Sequence, residues 1–173
     1  MTDENPTAAD GTTQNEQAAA PKFSIQKIYL KDLSLETPMG TGAFQRELKP
    51  KVNQDLNTKT SKVAENLYEV VLRITVTVKD GEETIYLIEA QQAGLFEASG
   101  LPNNQLAQVL NSTCPEILFP YSREVIDNLL LKAGFPPLNM PPINFDALFA
   151  AAVQQAQQQA QQKEASPAEG TLQ

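Results

Sequence analysis

The sequence predicts an α+β fold: a four-stranded antiparallel sheet followed by helices packed on one of its faces. Three observations carry this. From Tyr68 to Val78 the even positions are apolar (Tyr68, Val70, Leu72, Ile74, Val76, Val78), while Glu69, Arg73, Thr75 and Thr77 take odd ones. Period two with β-branched residues is a half-buried strand. Asp80-Gly81 separates that run from a second, Thr84 to Gln92, and Asp-Gly between two such runs favours a two-residue hairpin turn with positive φ. After Gly94 the apolar residues recur at helical spacing instead. An isolated hairpin is marginal in water, so the rest of the chain has to cover its apolar face.

The elements follow in chain order. Residues 1–21 are Ala, Thr, Asn, Gln and acids, with too little apolar surface to fold, and read as a disordered tail. Phe23 to Glu36 is a first strand. Phe23, Ile25, Tyr29, Leu33 and Leu35 share one parity and Ile28 and Leu30 break it, so either both faces are covered or a bulge shifts the register. Phe44 to Leu48 alternates as a second strand, interrupted by Pro50 and resumed by Val52, Gln54 and Leu56; residues 57–62 read as a polar loop. The hairpin supplies strands three and four.

Leu106, Val109 and Leu110 share one face of a helix starting near Pro102. Pro115 is placed to restart a helix carrying Leu118, Val125, Ile126, Leu129 and Leu130, which Pro120 kinks or begins and Gly134 caps. Residues 135–143 hold four prolines and form a semi-rigid extended link. Asn144 caps a last helix with the stripe Phe145, Leu148, Phe149, Ala152, Val153 and Ala156. The organisation is therefore one domain, 22–162, between disordered tails at 1–21 and 163–173.

Composition narrows the function classes. The net charge of −8 argues against nucleic acid as a partner and allows one carrying positive charge. No basic start with an apolar run marks a secretory signal, and no apolar run is long enough to span a bilayer. The single cysteine, Cys114, rules out an internal disulfide and suits the cytoplasm. There is no histidine, which removes Ser-His-Asp and Cys-His systems and HExxH zinc sites. No phosphate loop occurs, and no carboxylate pair is singled out by spacing. No catalytic residue, metal site or cofactor is expected, and an enzyme is disfavoured.

Three features remain. Asp32 and Glu36 share parity on strand one and Glu89 lies in strand four, a placement that spacing alone reads as an ordinary solvated sheet face. Phe44, Leu48, Phe135, Leu138, Met140 and Phe145 lie in irregular or proline-rich chain, either as satellite core or as a groove for apolar segments. Ile85, Tyr86, Leu87 and Ile88 occupy both parities of strand four, which suggests burial on both sides and oligomerisation.

The segments FSIQKIYLKDLSLE, YEVVLRITVT, GEET, EAQQAGLF, CPEILFPYSREVI and FPPLNMPPINFDALF resemble the SecB family of protein-export chaperones, in order and without large gaps from Phe23 to Phe149. The resemblance implies a homotetramer, a dimer of dimers, with sheets outside and long helices between. It implies a cytoplasmic, nucleotide-independent chaperone that holds unfolded precursor proteins and delivers them to the SecA translocase ATPase, without nucleic acid and without entering the membrane. Carried onto this chain, the SecA-docking patch falls on Asp32, Glu36, Leu87 and Glu89, and the positions linked to tetramer assembly fall on Ile88, Ala90 and Gln92. The client groove falls on Phe44, Leu48, Val52, Leu56, Phe135, Phe145 and Phe149. Two other readings share these features: an oligomeric α+β carrier of a small apolar ligand, and a SecB-like chaperone serving a toxin–antitoxin system.

Overall fold

The structure, a computed structural model, describes residues 20–164, so the expected tails at 1–21 and 163–173 lie almost wholly outside the described residues. Strands β1 (Lys22–Glu36), β2 (Lys51–Ala64), β3 (Leu67–Asp80) and β4 (Glu83–Ser99) form one antiparallel sheet in the order β1-β4-β3-β2. A helical layer covers one face: α1 (Asn103–Gln108), a π turn (Val109–Thr113) and α2 (Cys114–Lys132), followed after an extended link by α3 (Phe145–Glu164). The core lies between them, where Leu72, Ile74, Val76, Ile88 and Phe96 meet Leu118, Ile126 and Leu130.

The hairpin forms where expected, with Asp80 opposite Glu83 and Gly81 at φ 60°. A positive φ is nearly free for glycine, which explains Gly at this position. The broken parity of β1 comes from two bulges, one between Ile25 and Lys27 and one between Leu30 and Asp32. Each inserted residue flips the faces. Ile28, Leu33 and Leu35 therefore all pack on the core, and Tyr29 turns to the outer face, where its hydroxyl donates to Glu69.

The second strand differs from expectation at both ends. Phe44 closes a short 3-10 turn, Gly40–Phe44, and the chain is irregular to Pro50. Residues 57–62 are strand, not loop, pairing from Asn57 opposite Arg73 to Lys62 opposite Tyr68. As an edge strand β2 needs apolar side chains on neither face, because its backbone bonds to β3 hold it, and lysines on an edge discourage pairing with other chains. Asn66, at φ 59°, makes the tight turn into β3.

Strand β4 also runs past Gly94 to Ser99, where helical periodicity was expected to begin. A Cβ at Gly94 would lie 2.5 Å from the Phe96 ring and 3.2 Å from Leu118. Glycine is required there because a side chain two residues on fills the space. The two-sided apolar pattern of β4 has a local cause as well. The register slips so that Val78 faces Tyr86 and Lys79 faces Thr84, leaving Ile85 as an extra residue. Ile85 and Tyr86 are both buried in the chain's own core, so this pattern does not require a second covering layer.

Pro115 stands in the first turn of α2 as expected, but Thr113 provides no side-chain cap because the chain is already helical through the π turn before it, and Pro120 sits inside α2. The C-terminus of α2 closes as expected. Gly134, at φ 85°, donates to Leu131 O (3.2 Å) and Phe135 donates to Leu130 O (2.9 Å), a Schellman arrangement. Asn144 caps α3 through its Oδ1, which accepts the Ala147 N–H at 2.9 Å.

Candidate functional site

Two surfaces stand on opposite faces of the sheet. The first is an apolar cavity of about 380 Å³ on the helix side, at the β3–β4 hairpin end. Phe44, Leu48, Val52 and Phe135 line it together with Ile85, Tyr86 and Leu138. The Phe135 ring lies 5.1 Å from that of Phe44 and 4.8 Å from that of Tyr86. Phe44 and Val52 keep 60% and 48% of their surface exposed, whereas Phe135 keeps 7%. The cavity thus has a rigid buried floor and an apolar rim open to solvent, which suits weak, sequence-tolerant capture of apolar segments.

Both irregular walls are pinned to regular elements. Arg46 pairs with Asp80 at 3.4 Å and with Glu83, and the Lys49 N–H donates to Asp80 at 3.2 Å. On the other side, Asp127 of α2 accepts the N–H groups of Leu138 (2.8 Å) and Asn139 (3.3 Å). Burial, with the Asp127 charge second, raises the pKa of the Tyr86 hydroxyl, so it stays protonated.

Leu56, Phe145 and Phe149 do not line this cavity. Leu56 lies further along β2 opposite Ile74, and Phe145 is buried edge-on against Phe119 at 5.8 Å, at the start of α3. Ile85 and Tyr86 are lining residues that sequence reasoning did not assign to the groove. Tyr86 shares the parity of core-facing Ile88, and Ile85 is the extra residue that the register slip beside Val78 brings inward.

The second surface is the outer sheet face. Glu36 is opposite Leu87, Ser34 opposite Glu89 and Asp32 opposite Gln91, so Asp32, Glu36, Leu87 and Glu89 share one corner of that face. Asp32 and Glu36 are exposed, Leu87 and Glu89 half-buried. Gln91 donates weakly to Asp32, at 3.4 Å. Among the described residues none of the three carboxylates forms an ion pair. Ile88, Ala90 and Gln92 alternate with them and point the other way, into the core.

Elsewhere on the outer face Glu69 accepts from Lys31 at 2.8 Å and from the Tyr29 hydroxyl. The Lys31 hydrogen bond, then that of Tyr29, holds its carboxyl below the usual range. A depressed carboxylate stabilises the fold above its unfolded pKa, and that contribution is lost as pH falls through the folded pKa. Lys31→Ala should therefore raise the Glu69 pKa in an NMR titration and weaken the protein only above the acid range. An unmoved Glu69 would show that Lys31 does not control it.

Cys114 is fully buried, and burial pushes its thiol up to about 12. It should resist a thiol reagent in native protein and react fully in denaturant; native reaction at the denatured rate would contradict the packing. Among the described residues no three His, Cys, Asp or Glu side chains converge to hold a metal, and no helix is long and apolar enough to cross a membrane.

Comparison with known proteins adds to this geometry. The family model for preprotein translocase subunit SecB matches residues 16–157. A protein-export protein SecB of Cellvibrio japonicus is 51% identical over 172 residues, covering 98% of both chains. Another, of Hahella chejuensis, is 54% identical over 158 residues, covering 90% of this chain and 97% of the relative. A SecB-like chaperone of Mycobacterium tuberculosis, solved with a ChAD peptide from the HigA1 antitoxin, superposes with a TM-score of 0.58 at 16% identity. It covers 70% of this chain and 90% of its own and shares the fold.

Proposed function

Since the chain belongs to the SecB family and is a chaperone for preprotein export, we propose that it holds unfolded precursor proteins on one sheet face and offers the other to SecA. The observation that carries this reading is the opposition of the two surfaces. Phe44, Leu48, Val52 and Phe135 open on the helix side, while Asp32, Glu36, Leu87 and Glu89 sit on the outer side. A client in the cavity leaves the acidic corner free, so the motor can dock before the client leaves.

An unfolded precursor exposes apolar segments that a native protein hides. Binding only the unfolded form draws it away from aggregation by mass action. One small cavity is a weak site; a homotetramer offers several, which add through effective concentration. The apolar residues that β1 leaves exposed, Phe23, Ile25 and Leu30, support a subunit interface along that edge, and Tyr121 and Leu131 of α2 add more exposed apolar surface. The SecB family is not an enzyme class, and we read client release as the motor's work, in the cytoplasm and without a cofactor held here. The small-ligand carrier is not favoured. Nor is the toxin–antitoxin role, since the near full-length identity is to export chaperones and the antitoxin-bound neighbour shares the fold alone.

Asp32→Ala combined with Glu89→Ala tests the division of labour. SecA affinity should fall about tenfold, as removing charges from a complementary interface does. Suppression of aggregation of a denatured precursor should persist. Unchanged SecA affinity would remove the docking assignment, and parallel loss of client holding would remove the separation of faces.

A further inference from the structure

Beside the acidic corner, the outer face has a hollow of about 430 Å³ lined by Lys31, Lys59, Arg73, Glu69, Asn57 and Gln91, with buried Val71 among them. Glu69 is already matched by Lys31 and Tyr29. Lys59 and Arg73 form no ion pair among the described residues. In a chain of net charge −8 these two cations stand unneutralised in one polar depression.

Their placement relative to the acids is set by the sheet. Asp32, Gln91, Arg73 and Asn57 form one cross-strand row. Two strand spacings, about 10 Å, separate Asp32 from Arg73. About three residues of extended peptide cover that distance. Gln91 lies between, donating to Asp32 and bordering the hollow. The face therefore carries adjoining zones of opposite sign.

We propose that the hollow is a carboxylate-binding site and that the outer face docks a bipolar segment of the motor. Basic side chains of that segment lie over Asp32 and Glu89, and an acidic side chain about three residues away enters the hollow. There Arg73 offers a planar fork of donors and Lys59 a mobile point charge, a pairing suited to a carboxylate. The inference rests on the acidic corner being the motor's dock. Complementary zones of two signs fix register and direction, which one patch of a single sign does not.

The test uses the sign of an effect. Lys59→Glu with Arg73→Glu makes the outer face more acidic. A purely basic docking segment would bind this variant more tightly; a bipolar one loses its carboxylate contact. SecA affinity is expected to fall about tenfold or more, with client holding unchanged because the cavity is on the other face. Lys59→Gln with Arg73→Gln should weaken SecA in the same direction by less, and keeps the test valid if the reversal disturbs the fold. Unchanged or tighter SecA binding by both variants, with Asp32→Ala/Glu89→Ala still weakening it, overturns the carboxylate site alone. If the acid-to-alanine variant also has no effect, the docking reading fails and the inference falls with it. Cosedimentation with anionic phospholipid vesicles that is lost in Lys59→Glu/Arg73→Glu while SecA affinity stays constant assigns the hollow to a lipid surface and overturns the proposal.

Discussion

Phe96→Ala is expected to cost the fold about 3–5 kcal/mol, the range for removing a large buried aromatic side chain. Phe96 is fully buried, its ring stacks on Phe23 with centroids 5.9 Å apart, and it fills the space that Gly94 leaves above β4. Removing it opens a void between sheet and α2 that the paired strands cannot close, because the ladders to β1 and β3 fix the backbone on both sides of β4. A domain is stable by only about 5–15 kcal/mol, so this is a large share of the total. Urea unfolding should show a strongly lowered midpoint with little change in slope. A loss below about 1 kcal/mol would mean that the site collapses and that Phe96 does not hold the two layers together. Gly94→Ala approaches the same contact from the opposite side, since its new methyl group would overlap the ring; overpacking of this kind costs about 1–3 kcal/mol.

Phe44→Asp combined with Val52→Asp should weaken client holding at least about tenfold with little loss of stability. Both side chains are largely exposed at the cavity rim, so little packing is lost, and surface substitutions usually stay within about 0.5 kcal/mol. Charged groups there would have to be desolvated by any apolar segment entering the cavity, and that penalty exceeds the gain from a weak site. The amount of chaperone needed to suppress aggregation should rise at least about tenfold, while SecA affinity stays at its original value. Full retention of holding by a folded double variant would show that clients bind elsewhere. Phe135→Ala provides the contrast: it is buried between Phe44 and Tyr86, so it should lower the melting temperature and reduce holding together.

The parts of the fold legible in the sequence are those in which the signal and its cause lie a few residues apart. The Asp80-Gly81 hairpin, the Gly134 cap and the Asn144 cap each satisfy backbone groups through neighbours within five residues. The even-numbered stripe of β3 is legible because one face packs on the core while Arg73, Thr75 and Thr77 lie on the other. The same regularity puts Asp32 and Glu36 on one face of β1, and the β1–β4 register then brings Glu89 beside them.

Amino-acid order by itself therefore determined the α+β class, the helix-covered side of the hairpin, the shared face of Asp32 and Glu36 and the absence of a histidine chemistry. Tertiary structure decided the rest, because those features depend on partners distant in the chain. Residues 57–62 are strand only because β3 lies alongside, and Gly94 is required only because Phe96 and Leu118 converge on it. The bulges at Ile85 and in β1 change which face a residue takes, which gives Ile85 to the cavity and Tyr29 to Glu69. Phe135 reaches the cavity and Phe145 does not because the link from α2 folds back under Asp127 before α3 begins. A one-residue change of register costs little locally and reverses the face of every following side chain, so which residues line a site is settled by the competition among packed elements.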